Sequence, residues 1–347
     1  MKLLLTGSTG FVGRSFLISA IRSGRYDQIF LPVRSKEKLN AQLLGDGFEV
    51  VPNGVTPLEG SAYDWNIQTI GKVDHVVHAA GALFANCRQE YFETNVEGTV
   101  RLLESSRGAS RYVILSSQAA GGPCEKGMHA RTESDRDRPL TWYGQSKLEM
   151  ERRIVHEFSD LNYLILRPPM ILGPRDKSTL PLFKMVQGPL HFKPGIREKY
   201  YSYLSVNDVV SAISKVLEYP ADYKSLSRRC FYAASRYPIS DKELLSGTSK
   251  ASQSWGVIVP VPAPLLRLIS QVVDRVPRFR MALPSLSRGR VHEILPDRWV
   301  VSSEEFCRSF GWEPQEPLPA VLKATYDWYR RSGQLRPFRW LGLKARH

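Results

Sequence analysis

Lys2-Leu3-Leu4-Leu5-Thr6-Gly7-Ser8-Thr9-Gly10-Phe11-Val12-Gly13 begins the chain as a short apolar run that passes without a spacer into a glycine-rich turn. Leu3 to Leu5 read as a buried strand. Phe11 to Ser23 has the apolar spacing of a helix, with Gly24 as its stop. A strand that ends in such a turn and opens a helix aims backbone N–H groups and the positive helix end at one point, where a pyrophosphate fits without meeting side chains. The glycines at 7, 10 and 13 depart from the G-x-G-x-x-G spacing. The turn alone therefore leaves two readings: a dinucleotide seat, or a tight strand-to-helix connection without a ligand.

Working outward, short apolar runs alternate with longer helical patterns. Gln28 to Val33, Val73 to His78, Tyr112 to Ser116 and Tyr163 to Arg167 are predicted strands, and Asn95 to Arg107 and Trp142 to Phe158 predicted helices. That alternation predicts an α/β fold, a Rossmann doubly wound parallel sheet with helices on both faces. After Pro168-Pro169 the pattern is broken by prolines, then Tyr200 to Val206 reads as a strand. Asn207-Asp208 offers an N-cap for a helix over Val209 to Glu218, and Cys230 to Ala233 reads as another strand. The expected organisation is a dinucleotide domain over 1–172 with 200–235, a smaller and mostly helical C-terminal substrate-covering lobe over 173–199 with 236–332, and a basic tail over 333–347.

The chain has 347 residues, of which 42% are hydrophobic and 24% charged, so a folded protein with a sizeable core is expected rather than disorder. Cys87, Cys124, Cys230 and Cys307 lie far apart without a Cys-x-x-Cys pair, which argues against a zinc site and a disulfide framework and for a cytoplasmic location. The first leucines end too soon for a signal peptide or membrane span. The net charge of +14 favours an anionic ligand. Much of it lies in Arg267, Arg275, Arg278, Arg280, Arg288, Arg290 and Arg298, with no accompanying nucleic-acid-binding signature, so no nucleic-acid partner is expected. The tail mixes Arg336, Arg339, Lys344 and Arg346 with Phe338 and Trp340. Peripheral membrane contact is the weaker reading of it, a loosely ordered terminus the stronger. A homodimer stays open.

Tyr143 and Lys147 are four residues apart, hence about one turn apart on one helix face. A nearby ammonium stabilises phenolate, which suits a phenol for giving or taking a proton at a carbonyl or hydroxyl. Taken alone, such a pair is ordinary on exposed helices. One strand-to-helix unit earlier, however, Val113-Ile114-Leu115 ends in Ser116-Ser117, at the edge where open parallel sheets bind ligands. Ser117 there could donate a hydrogen bond to the same substrate oxygen, or merely cap a helix.

These residues, taken together, resemble the extended short-chain dehydrogenase/reductase family, also called the NAD-dependent epimerase/dehydratase family, with features of its 3β-hydroxysteroid-dehydrogenase-like reductase branch. The resemblance spans about residues 1–235. It rests on Thr6 to Gly13 as a TGxxGxxG loop, Val77-His78-Ala79-Ala80-Gly81, Asn95-Val96-Glu97-Gly98-Thr99, Ser116-Ser117, Tyr143 with Lys147, Arg167-Pro168-Pro169 with Gly173-Pro174, and Leu204 to Val209. It implies hydride transfer at a nicotinamide, with Tyr143 as acid/base, Lys147 holding the ribose and Ser117 orienting the substrate oxygen. It further implies cofactor contacts at Gly7, Thr9, Gly10, Phe11, Val12, Gly13, Arg34, Ser61, Ala79, Ala80, Gly81, Asn95, Ser116, Tyr143, Lys147, Pro168 and Met170, and no metal.

The second strand ends Val33-Arg34-Ser35-Lys36, with an arginine where NAD-binding members carry a carboxylate for the ribose diol. NADP is therefore expected over NAD, with Arg34 on the 2′-phosphate and Ser35 or Lys36 assisting. Ser61 stands where the family often places an aspartate beside the adenine. Met170 replaces the asparagine common in nucleotide-sugar members, and Gln118-Ala119-Ala120-Gly121-Gly122 lacks the Asp-Glu pair of dehydratases. The expected activity is thus oxidoreduction of a carbonyl or secondary alcohol, with an apolar ketone or alcohol as one substrate class and a phosphorylated or carboxylated one left open by Arg175 and the late arginines. The alternatives are a nucleotide-sugar epimerase or dehydratase with tightly bound NAD and, more remotely, a non-catalytic cofactor sensor.

Overall fold

The computed structural model describes residues 1–60, 70–125, 127–276 and 288–335. The chain divides into two units, the first comprising Met1–Met170, Ser202–Tyr237 and Arg298–Pro314. It contains the strands β1 (Lys2–Thr6), β2 (Gln28–Val33), β3 (Val55–Glu59), β4 (His75–His78), β5 (Arg111–Leu115), β6 (Tyr163–Arg167) and β7 (Cys230–Tyr232). They form one parallel sheet in the order β7-β6-β5-β4-β1-β2-β3. The sequence order reverses between β1 and β4, the crevice where open α/β sheets bind ligands. The sheet is the doubly wound Rossmann type expected.

Central strands read as unbroken apolar runs because both faces are covered. Leu3, Leu4, Leu5, Val113 and Ile114 are fully buried. Tyr112, Ile114, Met150, Ile154, Tyr163 and Ile165 join one core that ties β5 and β6 to the helix over Trp142–Glu157 that leads into β6. Each fully buried aliphatic side chain contributes about 1.5–3 kcal/mol.

The helices are α1 (Phe11–Ser23), α2 (Lys36–Gly45), α3 (Arg88–Phe92), α4 (Gly98–Ser105), α5 (Gln118–Gly121), α6 (Trp142–Glu157) and, later, α7 (Val206–Glu218). Gly24, at φ 63°, closes α1 in the left-handed conformation that glycine favours. Three local expectations are corrected. The helix expected over Asn95 to Arg107 starts earlier, at Arg88, and passes through a π-helical turn over Glu93–Glu97 before α4. Helix α7 is capped by Ser205, whose Oγ accepts from the Asp208 N–H, so Asn207 and Asp208 are inside the helix rather than at its cap. The strand expected over Tyr200 to Val206 is two pieces, Tyr200–Tyr201 and Tyr203–Ser205. The edge strand β3 was not expected, because Pro57 interrupts it; an edge position tolerates the missing N–H.

The second unit comprises Ile171–Tyr201, Pro238–Asp297 and Gln315–His347. It holds a parallel pair of strands, Leu190–Pro194 with Val257–Val261, and the helix Leu318–Arg331 packed against Asp241–Ala251. Arg298–Pro314, expected in the covering lobe, belongs to the first unit: Arg131 bonds to Val300 and Val301 pairs with Arg131 there. Among the described residues no helix is long and apolar enough to cross a membrane. Arg278, Arg280 and the tail beyond Leu335 lie outside the described residues.

Candidate active site

The turn after β1 is built by close backbone approach. A β-carbon on Gly7, whose φ is 73°, would stand 2.6 Å from the Ala79 carbonyl carbon and the Ala80 nitrogen, and one on Gly13 would stand 2.2 Å from the Gly7 oxygen. Glycine at 7 lets the turns after β1 and β4 touch, and glycine at 13 seats α1 on its own loop. Gly10 is the N-cap of α1 and supplies no side-chain acceptor, and the first turn, beginning Phe11 and Val12, carries no acidic residue. The leading N–H groups of α1 therefore lack both a side-chain cap and a competing anion, which fits a dinucleotide pyrophosphate. The Thr9 carbonyl accepts from Gln42 at 3.2 Å, and Arg14 binds Asp46 at 2.5 Å, fastening this loop to the end of α2.

Behind the loop runs a directed chain of hydrogen bonds. Thr99 Oγ1 donates to the Asn95 carbonyl at 2.8 Å, so it accepts from His78 Nε2 at 2.8 Å. His78 Nδ1 is then the acceptor for the Thr6 hydroxyl at 2.6 Å. Burial, with the Lys147 ammonium adding to it, pulls the His78 pKa down to about 3, so the ring is neutral and protonated on Nε2. Asn95, in the π-helical turn, accepts from the Ala82 N–H at 2.7 Å and donates to Ser146 Oγ at 2.9 Å. Such turns interrupt helices chiefly where a side chain must be re-aimed. A β-carbon on Gly81 would stand 3.1 Å from Asn95 Oδ1 and 3.2 Å from Lys147 Nζ. The sequence elements at 78–81, 95–99 and 143–147 are thus one packed cluster.

Lys147 is buried on α6, and its Nζ donates to the carbonyl of Leu115, the last residue of β5, at 2.8 Å. Burial brings its pKa down to about 8, with the Glu151 carboxylate acting against the shift. Tyr143 is half-buried one turn earlier, its ring 6.3 Å from that of Tyr91. Ser117 is the N-cap of α5: its Oγ accepts from the Ala119 N–H at 3.1 Å, which leaves its own proton to donate. Capping and substrate contact, posed as alternatives, are compatible.

Arg34 is exposed at the tip of β2, and among the described residues no carboxylate pairs with it. Its two neighbours are engaged: Ser35 caps α2 by accepting from the Lys38 N–H, and Lys36 lies 3.9 Å from Glu59. Ser61 is outside the described residues. The Pro168 carbonyl accepts from Gln118 N at 2.9 Å, and Met170 is partly buried at the end of the first unit's opening segment.

The sequence reading missed a buried ionic cluster beside these residues. Arg167, at the end of β6, binds both Glu151 oxygens through Nε, at 2.9 and 3.2 Å, and both Asp137 oxygens at 2.7 and 2.9 Å. Burial opposes its charge, but the two carboxylates prevail and hold its pKa above the usual range. Ser116 donates to Glu151 Oε1. Glu151 stands four residues beyond Lys147, so extending the 143–147 spacing by one further turn would have found it.

A doubly wound sheet, an uncapped glycine-led helix at its switch point and a buried lysine at the end of β5 define a dinucleotide-binding protein with a polar site on the carboxyl rim of its sheet. The chain belongs to the NAD dependent epimerase/dehydratase family, whose sequence profile matches residues 3–226, and so to the extended short-chain dehydrogenases/reductases; it is an NAD(P)-dependent enzyme of that family. It is 27% identical over 338 residues to a UDP-glucose 4-epimerase of Vibrio cholerae, covering 93% of this chain and 94% of that protein. It is 23% identical over 337 residues to a ceramide reductase of Caulobacter vibrioides, covering 95% of each. The fold is shared with UDP-glucuronic acid 4-epimerase from Bacillus cereus, solved with UDP-glucuronic acid and NAD: TM-score 0.74, 16% identity, 96% of this chain and 100% of that one.

Proposed function

We propose that the protein is an NADP-preferring dehydrogenase or reductase of a ketone or secondary alcohol. The observation that carries this is the Lys147 ammonium, buried and fixed on the Leu115 carbonyl one helical turn from Tyr143. When bound, the nicotinamide dinucleotide supplies or accepts the hydride. Tyr143 gives its phenolic proton to the substrate oxygen in reduction and recovers it from the hydroxyl in oxidation. Lys147 donates one proton to Leu115, leaving two for the cofactor ribose, and its charge favours the phenolate. Ser117, its lone pair held by Ala119, donates to the same substrate oxygen.

The exposed Arg34, which pairs with no carboxylate among the described residues, supports a 2′-phosphate contact, since guanidinium and phosphate form strong charge-assisted hydrogen bonds. NAD is the alternative, because solved relatives of this fold carry it. The reductase reading draws on Met170 and the Gln118–Gly121 turn, and on the ceramide reductase among the relatives. The UDP-glucose 4-epimerase relative favours a second reading, nucleotide-sugar epimerisation with retained NAD. Incubating the protein with NADPH and a panel of ketones, and separately with UDP-sugars, discriminates the two. Net NADPH oxidation by a ketone is expected. Interconversion of UDP-sugars without net cofactor consumption would establish the epimerase instead.

A further inference from the structure

Resting on the reading of Tyr143 and Lys147 above, we propose that Glu151 is a positioning residue of this site, whose carboxylate balances the buried Lys147 ammonium and, through Ser116, fixes the end of β5.

Lys147 and Glu151 are 4% and 5% exposed and four residues apart, hence on one face of α6. They grip consecutive residues of one strand end: Lys147 holds the Leu115 carbonyl and Glu151 accepts from Ser116 Oγ. The next residue is Ser117. Any change in how α6 sits on β5 would therefore move Tyr143, Lys147 and Ser117 relative to one another. The Lys147 ammonium bonds to a neutral carbonyl and makes a long 4.0 Å contact with Met150 sulfur, so its hydrogen bonds bring it no countercharge. A buried ammonium requires one. Glu151 supplies it from one turn away.

The surroundings make that assignment specific. On β6, Arg167 pairs with Glu151 and with Asp137, so two cations and two carboxylates make the cluster neutral. From β4, His78 faces Lys147 as a neutral ring. From β7, Cys230 is a neutral thiol, its pKa pushed up by burial and by Glu151, and the Tyr232 hydroxyl accepts from Arg167 at 3.1 Å. Tyr143 lies on the helix itself. Among the described residues Glu151 is the carboxylate whose charge acts on Lys147, while Asp137 lies on the far partner, Arg167.

The test is NADPH binding to the full chain, followed by fluorescence between pH 7 and 10, with thermal midpoints read on the same samples. A cofactor that favours charged Lys147 binds at full strength below the free lysine's pKa and more weakly as pH rises through it. Wild type is expected to show that step, and Lys147→Met to lack it. Glu151→Gln keeps the acceptor for Ser116 but not the charge, and its step is expected roughly one pH unit lower. Ser116→Ala, which spares the charge, should leave the step in place, and Glu151→Asp should restore it toward wild type. A Gln variant that loses thermal stability while its step coincides with wild type overturns the proposal. So does an Asp variant that behaves like Gln, or a step that survives Lys147→Met. No substrate enters this measurement, so failure of the reductase reading, seen as turnover unaffected by Tyr143→Phe, is scored separately.

Discussion

Gly144 lies so close to Ala119 that a β-carbon on it would stand 2.4 Å from the Ala119 carbonyl oxygen. Ala119 gives its N–H to Ser117, and Gly144 follows Tyr143 directly. The first turn of α6 is therefore pressed against the backbone that Ser117 caps, and the missing side chain is what allows it. Gly144→Ala is expected to push the two elements apart, costing about 1–3 kcal/mol of stability. Turnover is expected to fall more than NADPH affinity, because displacement at the reacting groups is felt most in the transition state. Equal kcat values for the variant and wild type would show that this contact does not set the geometry.

Tyr143→Phe removes one hydroxyl from a half-buried ring packed near Tyr91. Loss of general acid/base work predicts a fall in kcat of about 100- to 10,000-fold. NADPH binding, measured by fluorescence, is expected to change little.

Arg34→Ala is expected to weaken NADPH binding roughly tenfold or more, the loss of a charge-assisted contact worth about 1.5–3 kcal/mol. NADH has no 2′-phosphate, so its affinity should be unchanged. Calorimetric titration of both cofactors into both proteins reads the difference directly, and parallel losses would remove Arg34 from the phosphate site.

His78 predicts a pH dependence of stability. Its pKa is lowered in the folded protein from 6.5 to about 3, so the unfolded chain takes up the proton first as pH falls. The stabilisation is whole above the unfolded value and declines between pH 6.5 and the folded value, by about 1.4 kcal/mol per pH unit. Urea denaturation at pH 7, 6 and 5 should show a decline of that sign, to which His75, its pKa lowered by burial to about 4, adds its own part. His78→Gln, though less stable at pH 7, should show a shallower one.

The strands of the sheet were legible because buried parallel strands are continuous apolar runs, and Gln28–Val33 and Tyr163–Arg167 coincide with their predicted limits. Strand β3 was not, since Thr56 and Pro57 give an edge strand no apolar signature. The roles of His78 and Glu151 were illegible for a different reason. The position of Glu151 follows from the helical spacing of Tyr143 and Lys147, but its bonds to Arg167 and Ser116 and those of His78 to Thr6 and Thr99 join residues 16 to 72 apart, and local spacing carries no trace of such partners. The π-helical turn at Asn95 likewise adds one residue to a helical repeat without any compositional mark. Tyr143, Lys147 and the glycines were visible because their relationships are short-range.

Strand β1 lies inside the sheet and pairs with β4, whose residues are made some seventy positions later. Until His75–His78 have emerged, one side of β1 has no partner, and the face of Gly7 that meets Ala79 and Ala80 does not exist. A nascent chain therefore cannot form the nucleotide seat early, although nearly all its glycines are made first. Non-local pairing of this kind slows folding and exposes strand edges meanwhile. Cofactor should accordingly protect only the finished fold, raising resistance to proteolysis of the full chain while leaving a truncation that ends before residue 75 unprotected.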